Sequence, residues 1–368
     1  METKMRILII NPGSTSTKVA LFESGKMAFN ESVGHSADEL KPFKNIWEQY
    51  DFRKAAILRV VEKYGIALAS LDAIACRGGN CKSVPGGIYR ICDQMIADQI
   101  SGIYGKHPGD VVCLVVYDLG KELNIPVFTV DVPVTDELSP LARYTGIPSI
   151  RRKSSFHALN QKATAKKVSA ELGKKYEETN LIVVHLGGGI SVGAHQRGKV
   201  VDVNGALDGD GPFSPERAGS VPTADLVKMC FSGKYTEEEI LRFLTGGGGL
   251  IAHLGTTSGI EIEQRIAAGD KKAAEVYEAM AYQVAKEVGG CAAVLEGRVD
   301  AIALTGSLVH SKTLMANLRK RISFIAPIHL VPGENEMEAL GEGVMRYFNG
   351  EEGLAAYPAK ENNIEMPG

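Results

Sequence analysis

Two short turns gather the residue types best suited to holding phosphate. Asn11-Pro-Gly-Ser-Thr-Ser-Thr-Lys18 joins two apolar runs through a glycine, several hydroxyls and a lysine. His185-Leu-Gly-Gly-Gly-Ile-Ser191 does the same with consecutive glycines. Glycine lets backbone N–H groups converge on an anion with no Cβ in the way, and hydroxyls add donors. In the first turn Gly13 permits the bend, Ser14 and Ser16 donate from one side, and Lys18 adds a point charge. In the second, Gly187, Gly188 and Gly189 leave phosphate contact to backbone N–H groups. Neither turn is a common nucleotide motif. The first lacks the Gly-Lys-Ser/Thr of a P-loop, and Gly187 to Gly193 departs from the dinucleotide fingerprint Gly-x-Gly-x-x-Gly.

The elements around the turns explain the difference, because both turns join strand to strand and open no helix. Arg6–Ile10 and Lys18–Phe22 are predicted strands around the first turn. Leu181–Val184 and Ile190–Ala194 flank the second, with Val200–Val203 extending the same sheet. Strands are also predicted at Ala73–Cys76, Val127–Val130, Ala301–Leu304 and Ile328–Val331. Helices are predicted at Phe52–Tyr64, Val111–Asn124, Ala158–Leu172, Glu237–Leu244, Lys271–Leu295 and Met337–Phe348. The pattern of strand, glycine turn and strand recurs half a chain later, which predicts two related domains facing each other. The tail after Gly350 is polar and expected to be loose, and the run Gly246–Gly249 has no assigned role.

Composition narrows the function. The 368 residues carry 41 Lys+Arg against 44 Asp+Glu, a net charge of −3. That balance argues against nucleic acid and against an acidic membrane surface as partners. A hydrophobic share of 44% with 23% charged residues is that of a globular chain, and the length suits two domains. No stretch approaches the roughly 20 apolar residues of a bilayer span, and the run before Asn11 is too short for a secretory signal core. The cysteines are scattered without a Cys-x-x-Cys pair, so reduced thiols and a cytoplasmic location are expected.

The two turns, taken with Arg152-Lys-Ser-Ser-Phe-His-Ala-Leu-Asn-Gln161 and Asp208 to Gly219, carry a resemblance. In this order they resemble the acetate and butyrate kinases of the actin, sugar kinase and Hsp70 superfamily. The likeness runs from Arg6 to about Phe348 and is greater to the butyrate kinase branch. Acetate kinases carry Asn where this chain has Gly188, so one side-chain donor is lost there. The resemblance implies an α/β fold of two duplicated actin-like (ribonuclease H-like) domains, each a mixed sheet flanked by helices, with an interdomain ATP cleft. The expected division is an N-terminal domain over 1–158 on the acyl side, a C-terminal domain over 159–335 on the nucleotide side, and a returning helix and tail over 336–368. It implies ATP/ADP and Mg²⁺ as cofactors, a small carboxylic acid as substrate and a homo-oligomer.

A carboxylate kinase brings an anion up to a polyanion, so its site needs positive charge, donors and alignment. Arg77 and Arg217, each in a glycine-containing segment, match the family's substrate-clamping arginines, and a guanidinium can bridge two oxygens where Lys cannot. His157 matches the histidine that donates to the transferring phosphoryl group, and His107 resembles a second family histidine. His185 joins the nucleotide-binding set and is expected to be oriented against the backbone. Asp131, at a strand end, would steer the substrate or the Mg²⁺ shell. Glu336 and Asn11 would stand near the metal, with Glu338 as a substitute for Glu336. Gly306 and Ser307 resemble the adenine-side turn, and Asp208-Gly-Asp-Gly211 a turn beside the nucleotide. The expected reaction is reversible phosphorylation of a short-chain fatty acid, most of all butyrate. Branched-chain, propionate or acetate kinase is the alternative. A sugar kinase, which needs a carboxylate base, and a nucleotide-switch protein are the remoter ones.

Overall fold

The apolar run at the start of the chain folds as strand β1 (Arg6–Pro12), in which Ile7, Leu8, Ile9 and Ile10 are fully buried. The computed structural model describes residues 5–207 and 209–359. The chain divides into two units, one built from the residues up to Thr135 together with those from Asn335, the other from Asp136–Glu334.

In the first unit β1 pairs antiparallel with β2 (Ser16–Glu23), and β2 with β3 (Lys26–Gly34). On its other side β1 runs parallel to β4 (Ala73–Cys76), which runs parallel to β6 (Val127–Val130). The short β5 (Ile88–Arg90) lies antiparallel beside β6. Helix Glu336–Phe348 returns from the end of the chain and packs on β1, β4 and β6, burying Met337, Leu340 and Val344.

The second unit repeats this plan. Strands β7 (Asn180–Leu186), β8 (Ile190–Gln196) and β9 (Lys199–Val203) form an antiparallel meander. Strands β10 (Ala301–Gly306) and β11 (Ile328–Pro332) then add in parallel beside β7. The order β3-β2-β1-β4-β6 therefore recurs as β9-β8-β7-β10-β11, which is the duplication expected from the two turns. The 24-residue helix Lys271–Val294 covers this sheet, with Val276, Met280, Val284 and Val288 buried at helical spacing.

One expectation fails at the end of the chain. The tail after Gly350 is not loose through residue 359. Strand β12 (Leu354–Ala355) adds parallel to β5, and the Tyr357 hydroxyl donates to Asp98 Oδ2 at 2.7 Å. The anchoring groups lie far away in sequence, so composition gave no sign of them. Among the described residues no helix is long and apolar enough to cross a membrane, and Cys76, Cys81, Cys113 and Cys291 are buried free thiols.

Candidate active site

Parallel strands bring their carboxyl ends to one edge of a sheet, where functional residues of α/β folds collect. In the first unit that edge carries Asn11 near the end of β1, Arg77 after β4 and Asp131 after β6. Register keeps them adjacent, with Ile10 opposite Cys76 and the Arg77 N–H donating to the Ile10 carbonyl at 3.2 Å. Asn11 Nδ2 donates to Glu336 Oε2 at 2.7 Å, and Arg77 Nη2 lies 3.7 Å from Glu336 Oε1. Asn335, the residue before Glu336, adopts φ +50°, a left-handed conformation that asparagine tolerates and that starts the returning helix here. Lys18 lies directly across from Asn11 on β2, so the two share a sheet face.

The first turn is closed from within. The Gly13 N–H donates to the Ser16 carbonyl at 2.8 Å, while Ser14 is exposed. Its support is a residue that motif reasoning missed. Arg53 has 0% exposure and donates from Nη1 to the Gly13 carbonyl at 3.2 Å and from Nη2 to the Ser14 carbonyl at 3.0 Å. The sequence held a signal: an arginine in the apolar stripe of Ala56, Ile57 and Val60.

Asp131 is 3% exposed and has φ +42°. Its Oδ1 accepts from the Gly87 N–H at 2.9 Å, and its own N–H donates to the Gly87 carbonyl at 2.9 Å. The carboxylate thereby holds the turn that leads into β5. His107 caps helix Pro108–Leu123, with Nδ1 accepting from the Gly109 N–H at 2.9 Å. Burial, then the charges of Arg77 and Arg53, lower its pKa.

In the second unit the corresponding edge carries His185 at the end of β7 and Gly306 at the end of β10. One nitrogen of His185 is engaged by a side chain. Its Nδ1 lies 2.7 Å from Asn160 Oδ1, and Asn160 Nδ2 donates to the Glu334 carbonyl, which fixes the amide oxygen toward the imidazole. The His185 ring stacks on that of His157, with centroids 3.8 Å apart and planes 13° apart. His157 stands at the N-cap of helix Ala158–Glu171, but its side chain does not cap; Nδ1 lies 2.9 Å from Ser191 Oγ.

Arg217 lies on the second turn. A Cβ placed on Gly189 would lie 2.6 Å from the Arg217 Cζ, so the glycine leaves that volume to the guanidinium. Ser214 Oγ donates to the Gly188 carbonyl at 2.6 Å, and Arg217 Nη1 donates to the Ala206 carbonyl. The run Gly246–Gly249, unassigned from sequence, supports the same segment. A Cβ on Gly248 would meet the Ala218 nitrogen at 2.8 Å, and one on Gly249 the Arg217 carbonyl at 2.7 Å. The Gly187 N–H donates within the turn, to the Gly189 carbonyl at 3.1 Å. Gly306, at φ +94°, packs against the Leu186 backbone, and Ser307 follows it exposed. Asp208 lies outside the described residues; Asp210 of the same motif accepts from Arg152 Nε at 3.1 Å.

These two edges can be set against known proteins. Residues 132–327 match the acetokinase family. The chain belongs to that family. Its members are phosphotransferases with ATP as donor and a carboxyl group as acceptor. Similar solved structures include the acetate kinase of Porphyromonas gingivalis, at TM-score 0.77 and 19% identity over 93% of this chain and 99% of that one. A propionate kinase from Francisella tularensis aligns at TM-score 0.72 and 18% identity over 92% and 98% of the two chains. A putative N-acetylmannosamine kinase from Listeria monocytogenes aligns at TM-score 0.52 and 14% identity over 95% and 100%. At these identities the solved structures establish the fold: two mixed sheets flanked by helices, common to acetate kinases and actin-like sugar kinases. Among the described residues no group of three His, Cys, Asp or Glu side chains converges as a metal site. Glu336 and Asn11 bring oxygen-bearing side chains together at one sheet edge, the donor type that Mg²⁺ takes in small number beside water and phosphate oxygens.

Proposed function

We propose that this chain transfers the γ-phosphoryl group of ATP to a short-chain fatty acid, with butyrate preferred, giving an acyl phosphate and ADP reversibly. The observation that carries the reading is the guanidinium of Arg217 lodged in the glycine turn 187–189. A carboxylic acid is ionised at pH 7, since such groups titrate near 4, so the acceptor needs no base. A carboxylate oxygen attacks the γ-phosphorus while the bond to the β-γ bridging oxygen breaks, and ADP departs with that electron pair. What must be supplied is charge, from Arg77 and Arg217, and donors, from His157 and the turns. Gly13, Ser14, Ser16 and Lys18 serve the phosphates in one unit and His185, Gly187, Gly188 and Gly189 in the other, with Gly306 and Ser307 toward adenosine. Mg²⁺ held by Glu336 and Asn11 would neutralise phosphate charge. Asp131 acts as a positioning residue through the Gly87 turn.

Transfer to an alcohol would instead require a carboxylate base, and Asp131, held at Oδ1 by the Gly87 N–H, could offer only its other oxygen for that role. The preference for butyrate rests on the glycine-filled second turn and on the stretches shared with the butyrate kinase branch. An ADP-release assay across acetate, propionate, butyrate and branched acids tests it. The highest kcat/KM is expected for butyrate, with a step of roughly tenfold to two-hundredfold per methylene. A maximum at acetate or propionate would overturn the butyrate preference.

A further inference from the structure

A chain of five side chains crosses the second unit from a buried tyrosine to His157. Tyr176 Oη lies 2.7 Å from His195 Nδ1, and His195 Nε2 lies 2.9 Å from Gln161 Oε1. Gln161 Nε2 lies 2.7 Å from Ser191 Oγ, which in turn lies 2.9 Å from His157 Nδ1. Gln161, Ser191 and His195 are wholly buried. Room for the chain is made at Gly193, where a Cβ would strike Gln161 Oε1 and lie 3.2 Å from His195 Nε2.

The direction of each hydrogen bond follows from one fixed point. Gln161 Nε2 also donates to the Ser191 carbonyl at 3.1 Å, an oxygen that can only accept. The nitrogen end of the amide therefore faces Ser191 and the oxygen end faces His195. An amide oxygen only accepts, so His195 carries its hydrogen on Nε2. Burial, then the charge of Lys162, push the His195 pKa down to about 3. Its imidazole is neutral, and Nδ1 accepts from the Tyr176 hydroxyl. Ser191 Oγ accepts from Gln161 and has a single hydrogen of its own to give.

We propose that Tyr176, His195, Gln161 and Ser191 form a one-way donor relay that holds His157 as the neutral tautomer with its hydrogen on Nε2. Each group donates to the next, and His157 Nδ1 is the final acceptor. His157 then presents an N–H, the form suited to a phosphoryl oxygen, where the opposite tautomer would present a lone pair to an anion. The relay members are positioning residues. The catalytic consequence rests on the function proposed above; the tautomer does not.

Long-range proton–nitrogen correlation NMR on the nitrogen-15-labelled full chain near neutral pH tests this, with His157 signals assigned by their loss in His157→Asn. Wild type is expected to show His157 Nδ1 at the unprotonated position and Nε2 at the protonated one. A protonated Nδ1 in wild type, in either the neutral or the cationic ring, overturns the relay without any variant. Ser191→Ala, which keeps the backbone acceptor for Gln161, is expected to lose that fixed pattern at His157 while the His195 signals stay in place. An unchanged His157 pattern in Ser191→Ala also overturns the relay. The same variant should lower kcat about tenfold with little change in KM. If the tautomer shifts while kcat does not, the relay stands and the role given to His157 in phosphoryl transfer falls.

Discussion

The Arg217 guanidinium occupies the space that a side chain on residue 189 would need, with only 2.6 Å from its Cζ to the Cβ position of Gly189. Gly189→Ala is therefore a way to move Arg217 without deleting it. Its kcat is expected to fall on the order of tenfold to a hundredfold, and that of Arg217→Ala about a hundredfold or more. Because both substitutions act through one guanidinium, the double variant should be little worse than Arg217→Ala alone. Steady-state kinetics on the three variants check this, and additive losses would separate the two residues.

Glu336 shares its carboxylate between Asn11, at 2.7 Å, and Arg77, at 3.7 Å. Glu336→Gln keeps the shape and removes the charge. The Mg²⁺ concentration for half-maximal rate should rise about tenfold, in line with weakened metal sites. A metal titration that overlays wild type would remove Glu336 from the metal's surroundings.

Arg53 holds the first turn through two backbone carbonyls and is fully enclosed. Arg53→Met fills much of the volume but leaves both carbonyls without their donor. A loss of about 1–3 kcal/mol is expected, the range for stranded buried polar groups. Urea unfolding of the two proteins measures it; equal midpoints would contradict the support given to Arg53.

His195 makes stability depend on pH. Its folded pKa is about 3, against an unfolded value near 6.5. Above that unfolded value the imidazole is neutral in both states and the contribution is complete. As pH falls through the interval the unfolded chain binds a proton that the folded one refuses. Stability then drops by up to about 1.4 kcal/mol per pH unit. His195→Gln should show a shallower dependence between about pH 6 and pH 4. Parallel curves for the two proteins would contradict a neutral, buried His195.

Much of this architecture was legible because its strands are apolar and its turns distinctive. Ala73–Cys76 and Val127–Val130 run between the expected residues, as buried strands bounded by glycine, proline or acidic residues should. Strand β3 was missed because Lys26–Gly34 is a polar edge with no fully buried residue. Helix Thr223–Cys230 was also missed; its residues are largely apolar, yet none of them is buried. The cap made by His107 went unread, although Pro108 at the first helical position and Asp110 two residues later mark a capped helix start. The partnership of His185 with Asn160 had no local sign, since it depends on a helix packing against a strand 25 residues on. Glycines were legible as turns but not as vacated volume, which is how Gly189, Gly193 and Gly249 act.

The central claim, transfer of phosphate to a carboxylate, is tested most directly by trapping the product. Incubation with ATP, Mg²⁺, butyrate and hydroxylamine should yield the acyl hydroxamate in step with ADP, and glucose in place of butyrate should yield neither. ADP release with glucose, and no hydroxamate from any short-chain acid, would contradict it.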